Sequence, residues 1–327
     1  MPVFQASQLK SLYRSFILEL GGLPEEADTF ADVFVLADLR GMEWQGLRSL
    51  HKHIVFPIQQ GIMRLRQEIE VLHEAPSALA VDGKDELGQV VCSRVMKTII
   101  DKAEVSGSCV GTIRSAGDSG LLGGYTTMAL PQDCIGIMFN TTNPYVAPWG
   151  GAERTLGITP ISIAVPAGQA YPIVVDMAVT RAQHLFNTDE AWKPPFPKPP
   201  LMLFETVREY VLGAVLEAIC GGLTLNPIGR DKTRRGECAV VAMAIHVPHF
   251  VGMPEFLQAV DRYVDQIKST PRDAAGTEIV LPGEREMKEQ ERRLREGIPV
   301  NAEDWAGVAA LAADLGIDWE EAVGLRP

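Results

Sequence analysis

Positive charge is what the chain has too little of. Thirty Lys and Arg stand against 42 Asp and Glu, a net charge of −12. The basic residues form no stripe, and an acidic surface repels phosphate backbones and anionic membranes alike. Cysteine is scarce too: Cys92, Cys109, Cys134, Cys220 and Cys238 are odd in number and form no Cys-x-x-Cys pair. That pattern predicts buried free thiols in a reducing compartment, not a disulfide framework. The start, MPVFQASQLK, lacks a basic-then-apolar signal layout, and no apolar run reaches the roughly 20 residues of a membrane span. These absences predict a soluble, cytoplasmic protein without nucleic-acid or membrane partners.

Several chemical signatures are missing as well. No G-x-G-x-x-G follows the first strand, and there is no phosphate-binding P-loop, H-E-x-x-H or G-x-S-x-G. Six histidines are present, but His51 and His53, like His246 and His249, lack the third ligand that would make a zinc site. No metal is predicted. No internal repeat is found either.

What is present is core-forming material: 46% of 327 residues are hydrophobic, enough for two closely joined domains or one domain with a lobe. Leu9, Leu12, Tyr13, Phe16 and Leu20 make an apolar helical stripe after Ser7, a candidate N-cap. Pro24-Glu25-Glu26 opens a second helix, where proline suits the first turn and the acids complement the dipole. From residue 78 the chain turns to apolar strands with glycine turns. SALAVDGKDELGQVV reads as strand, turn and helix, CVGTIRSAG and CIGIMFNTT as strands around a helix at 120–131, and ISIAVPAG with AYPIVVDMA as a hairpin. The proline-rich stretch at 193–200 reads as an extended loop. Further helices are expected near 204–220 and 254–268, a strand in ECAVVAMAIHV, and two closing helices, the last opened by Asn301. This predicts a mixed α/β fold divided as an N-terminal helical part over 1–75, a central α/β domain over 76–250 and a C-terminal helical segment over 251–327.

Three features carry candidate chemistry. DLRGMEWQG, residues 38–46, leaves the second helix and sets Trp44 and Gln45 on a rigid perch. TIRSAGDSGLLGGY, residues 112–125, is glycine-rich; it reads either as a tight turn or as an anion site at a helix start. Asp176, in IVVDMAVT, ends an apolar strand, where α/β proteins gather ligands; a cap or turn role is the alternative.

ADLRGMEWQG (37–46), VDGKDELGQVV (81–91), SAGDSGLLGGY (115–125), NPYVAPWGGAERTLGITPISIAVP (143–166), IVVDMAVT (173–180) and EIVLPGEREM (278–287) follow one another in the chain. In this order they resemble the non-Rossmann malate/L-lactate dehydrogenase family, type 2, which includes ureidoglycolate and sulfolactate dehydrogenases. The resemblance implies a homodimer of α/β subunits with a mixed, largely antiparallel central sheet and helical N- and C-terminal parts. It also implies NADH or NADPH as cofactor and a small carboxylate as substrate, a 2-oxo/2-hydroxy acid or an imine.

The resemblance breaks in the pocket. The family's Ser-His-Gly turn, whose histidine donates a proton, reads Trp44-Gln45-Gly46 here, and glutamine cannot give up a proton near pH 7. The family's carboxylate-binding arginine falls on Ser49, one residue from Arg48. A family histidine matches Asp118, an aspartate matches Asn143, and Gly-Thr-Asn-Pro becomes Gly157-Ile158-Thr159-Pro160. The Lys-Gly-Tyr-Gly motif reads Arg208-Glu209-Tyr210-Val211. By carry-over, Gly117, Ser119, Gly120, Gly157, Ile158, Asp176 and Glu284 lie along the cofactor's path, with Arg181 as a 2′-phosphate partner.

Three expectations follow. A reductase with a rebuilt pocket would take its proton from Asp118, Glu43 or His53 and face its substrate with Trp44. A repurposed lyase, hydratase or isomerase would use Asp118 as base, with Gln45, Asn143 and Thr159 holding substrate oxygens. A catalytically silent relative would bind a metabolite or partner only.

Overall fold

The computed structural model describes residues 1–180, 201–233 and 237–325. The proline-rich stretch at 193–200 and Arg181 lie outside them. Strand β1 (Val3–Phe4) precedes helices α1 (Ala6–Glu19) and α2 (Pro24–Leu39), and a run of tight turns leads to the short α3 (Phe56–Gln59). The α1 cap is Gln5 and not Ser7: its amide takes the Gln8 side-chain oxygen at 2.8 Å, so the capping box begins two residues earlier than the sequence suggested.

The centre follows as β2 (Glu70–Ala75), β3 (Ala78–Asp82), α4 (Gly88–Ser106), β4 (Ser108–Ala116), α5 (Leu122–Thr126), β5 (Cys134–Asn140), β6 (Val146–Ala147), β7 (Pro160–Val165) and β8 (Ile173–Ala178). After the undescribed segment come β9 (Met202–Leu203), α6 (Val207–Thr224) and β10 (Cys238–His246). Then α7 (Met253–Lys268), α8 (Glu284–Glu296), β11 (Ile298–Pro299), α9 (Ala302–Asp314) and α10 (Trp319–Ala322) close the chain.

The main sheet has the order β2-β3-β4-β10-β5-β7-β8. Only β3 and β4 run parallel; every other neighbouring pair in it is antiparallel. This is the mixed, largely antiparallel sheet expected, not a Rossmann sheet. The β3–α4–β4 crossover makes the parallel pair, since parallel neighbours need a long connection. Strand β2 was missed because its alternation is weak: five of its six residues are exposed.

Two cores flank the junction. Helices α1 and α2 share one with the C-terminal Ile298, Val300, Val308, Leu311 and Val323. Helix α4 buries Val91, Val95, Met96 and Ile99 against β4 and β10. Helix α6 differs. Its inner face is buried through Leu216, Glu217 and Cys220, yet every exposed residue from Val211 to Leu225 is apolar or glycine. All five cysteines are buried and free. Among the described residues, no helix is long and apolar enough to cross a membrane.

Candidate active site

Local chemistry fixes the perch at residues 38–46 first. Asp38, at the end of α2, is buried; it accepts a hydrogen bond from the Tyr13 hydroxyl and one from the Leu47 amide at 3.0 Å. Burial pushes its carboxyl up to about 7, against the pull of these two bonds. Asp38 fills the place a Cβ on Gly46 would need, so residue 46 must be glycine for the chain to turn there. The turn Glu43–Gln45 follows from that geometry.

The glycine-rich stretch meets this perch. A Cβ on Gly88, at the start of α4, would collide with the Asp118 carbonyl, and one on Gly117 would sit 2.6 Å from the Glu86 carbonyl. The two glycines let the 117–120 turn lie directly on the α4 N-terminus. Gly120 has φ +59° and presents its bare face to two amide side chains. The point a Cβ would occupy lies 3.2 Å from Gln89 Nε2 and 3.9 Å from Gln45 Oε1. Asp118 Oδ1 accepts from the Gly120 amide at 3.0 Å, and its Oδ2 lies 2.6 Å from His53 Nδ1. Sequence-predicted Gln45, His53, Asp118 and Gly120 therefore come together. Ser119 is buried beside them, its Oγ accepting from Asn140 Nδ2 at 2.6 Å.

The same two segments border a cavity of about 430 Å³ on their far side. It is lined by Arg40 and Met42, Leu121 and Gly123, Val174 to Asp176, and the 280–287 turn. Asp176 accepts from the Gly123 amide at 2.5 Å. Burial pushes its carboxyl up to about 7 although the Gly123 amide and Arg40 oppose the shift. Burial likewise brings Arg40 down to about 10, so desolvation outweighs the attraction between the two. Arg40 donates to the Gly123 carbonyl at 3.2 Å, Thr127 Oγ1 at 3.3 Å and Gln290 Oε1 at 3.1 Å.

Other predicted residues stand elsewhere or serve the frame. Glu43 pairs with Arg293 of α8 at 2.7 Å. Arg48 lies 3.7 Å from Asp304 of α9, and the Ser49 hydroxyl donates to the Gly46 carbonyl at 2.8 Å. Trp44 is half-buried in the same turn as Gln45. Glu284 pins the cavity's turn without lining it: its Oε2 accepts from Leu281 N at 3.0 Å and Lys268 Nζ at 2.5 Å. Against the pull of burial, Lys268 and Lys288 bring its carboxyl down to about 2.

The 157–160 turn forms a third wall. Gly157 donates to Glu217 Oε2 of α6 at 2.9 Å, and Ile158 donates to Thr142 Oγ1 at 2.9 Å. Thr159 is buried at φ +46°, with Oγ1 lacking a hydrogen-bond partner among the described residues; Asn143 Oδ1 is likewise unsatisfied. Sequence reasoning missed Arg40 and Gln89. Each could have been flagged as a polar residue in an otherwise apolar helical surround, Arg40 at the end of α2 and Gln89 between Gly88 and Val90. Among the described residues no group of three or more His, Cys, Asp or Glu could hold a metal ion.

Comparison with known proteins gives this geometry a family. The sequence profile of malate/L-lactate dehydrogenase matches residues 4–185 and 201–309. A malate dehydrogenase from Pyrococcus horikoshii is 29% identical, over 91% of this chain and 91% of the relative. An L-sulfolactate dehydrogenase from Methanocaldococcus jannaschii is 30% identical, over 93% of this chain and 95% of the relative. The solved structure of Pyrococcus horikoshii malate dehydrogenase superposes with a TM-score of 0.87 at 29% identity, covering 97% of this chain and 96% of the other. The chain, built on this sheet and carrying these motifs, belongs to the malate/L-lactate dehydrogenase family.

Proposed function

We propose that the protein is an NAD(P)H-dependent reductase of small 2-oxo acids or cyclic imines in which the His53–Asp118 pair replaces the family's proton-donor histidine. The observation that carries this reading is the 2.6 Å contact between His53 Nδ1 and Asp118 Oδ2, one turn from Gln45 and Gly120.

A dinucleotide fits the residues present. The 117–123 turn offers bare glycine backbone, buried amide groups around it lack partners, and the Arg40–Asp176 cavity continues from its far end. When bound, the nicotinamide supplies the hydride. Gln45, a neutral amide, orients the carbonyl or imine group by hydrogen bonding. Asp118 fixes the His53 ring through Nδ1 and balances the charge it carries when protonated, leaving Nε2 as the nitrogen that passes the proton. The carboxylate is itself held by the Gly120 amide. Glu43, committed to Arg293, is the weaker candidate for that proton.

A homodimer completes the proposal, as the resemblance implies. The test is titration of the purified protein with NADH and NADPH by tryptophan fluorescence, followed by 2-oxo acid and imine turnover at 340 nm. Binding with turnover is expected. His53→Gln should lower kcat by about 10²–10⁴ with coenzyme affinity retained. Binding of neither coenzyme, or full turnover in His53→Gln, sinks the reading.

A further inference from the structure

Gln89 is the one buried amide in the site for which the sequence gives no role and the fold gives no partner. It lies on the inner face of α4, fully buried, and neither Nε2 nor Oε1 has a hydrogen-bond partner among the described residues. Its amide is directed at Gly120, the residue that also faces Gln45. Asn140 adds a second unsatisfied atom on the same turn: Nδ2 binds Ser119, while Oδ1 has no partner among the described residues. Orphaned polar atoms in a native interior carry a desolvation cost that selection removes unless something satisfies them.

The kind of group that would satisfy Gln89 follows from its two ends. An amide has a donor end and an acceptor end, whichever way its O and N are assigned. A carboxylate could only accept, leaving the acceptor end orphaned, and it would sit beside Asp118 in a protein of net charge −12. A primary carboxamide donates and accepts at once, and two amides pair through both ends. We propose that Gln89 reads the carboxamide of the nicotinamide ring, so that this glutamine, under Gly120, sets which face and which end of the ring the site accepts. This rests on the dinucleotide reading given above. Because Gln89 is enclosed, the turn has to give way for the contact to form. The missing side chain at Gly120 is what permits it.

The test uses wild-type protein and Gln89→Met, an apolar substitution of similar length. Dissociation constants are measured for whichever of NADH and NADPH binds tighter, and for its 3-acetylpyridine analogue, in which a methyl ketone accepts but cannot donate. Wild type should bind the analogue about threefold to tenfold more weakly, the worth of one hydrogen bond. Gln89→Met should bind both alike, each more weakly than wild type binds the natural coenzyme. Its melting temperature without ligand should be unchanged or higher, since no internal partner is lost. If the variant still discriminates as wild type does, the proposal is overturned and coenzyme binding stands. If the ligand-free variant melts lower with coenzyme affinity intact, Gln89 serves an internal water or side chain, and the proposal is equally overturned. If wild type binds neither coenzyme, the dinucleotide reading itself has failed and takes this one with it.

Discussion

At the scale of single residues, the site departs from a local rule most clearly at Thr159. A β-branched residue at φ +46° is strained, because its Cβ crowds the backbone in the left-handed region. Asparagine tolerates that region better, and the family motif has asparagine there. Thr159 also buries a hydroxyl without a partner among the described residues. Thr159→Asn is therefore expected to raise the unfolding free energy by about 1 kcal/mol, measured by denaturant titration. A loss of stability would mean that the surrounding contacts, and not strain, set the residue there. Such features explain how far the site was legible. Gln45 and Asp118 were flagged as departures from a motif. Their meeting with His53 was not derivable, because it depends on how the 38–46 turn lies against the 117–120 turn, a long-range contact. Gln89 sat inside a recognised motif and was passed over, since an orphaned amide exists only in three dimensions.

At the scale of elements, the start of α2, the loop at 64–67 and the segment before α4 meet over two buried carboxyl groups. Glu26 accepts from the Leu23 and Arg66 amides at 2.8 Å each. Glu86 accepts from the Gln67 amide at 2.6 Å and the Leu87 amide at 2.9 Å. Burial, then the facing charge of Glu26, pushes Glu86 from its ordinary 4.5 up to about 7. The sign is set by proton uptake. Between pH 4.5 and 7 the folded state holds a proton that the unfolded state has released, so this contribution to stability is complete below 4.5 and fades as pH rises through about 7. Asp38 and Asp176, each raised to about 7, add slopes of the same sign. Glu86→Gln, which keeps the shape without the charge, should flatten the fall in unfolding free energy across this window. A variant whose slope matches wild type would remove Glu86 from the account. The elements themselves were largely legible, because α2, α4, the β7–β8 hairpin and α8 are strongly periodic or sharply capped. β2 is an exposed edge strand and carries no such pattern.

At the scale of the whole molecule, α6 joins assembly to the site. Val211, Val215 and Leu223 are each more than half exposed, and no charged residue is exposed from 211 to 225. A helix apolar on both faces is normally covered on both. Two copies of a chain with net charge −12 repel one another over most of their surface, so they can approach closely only through an uncharged face, and this helix provides one. Its inner face carries Glu217, which accepts from Gly157 at 2.9 Å and from Gly229 at 3.2 Å. Holding α6 in place thus also holds the 157–160 turn. Light scattering should find the wild-type protein at about twice the 35.7 kDa chain mass, and Val215→Arg or Ile219→Glu should shift it toward one chain. The monomeric variants should keep the His53–Asp118 pair and lose coenzyme or substrate affinity, because the turn beyond Glu217 is no longer clamped. A monomeric wild type would separate α6 from assembly. A dissociated variant with undiminished affinity would show that the 157–160 turn holds its shape without the second copy.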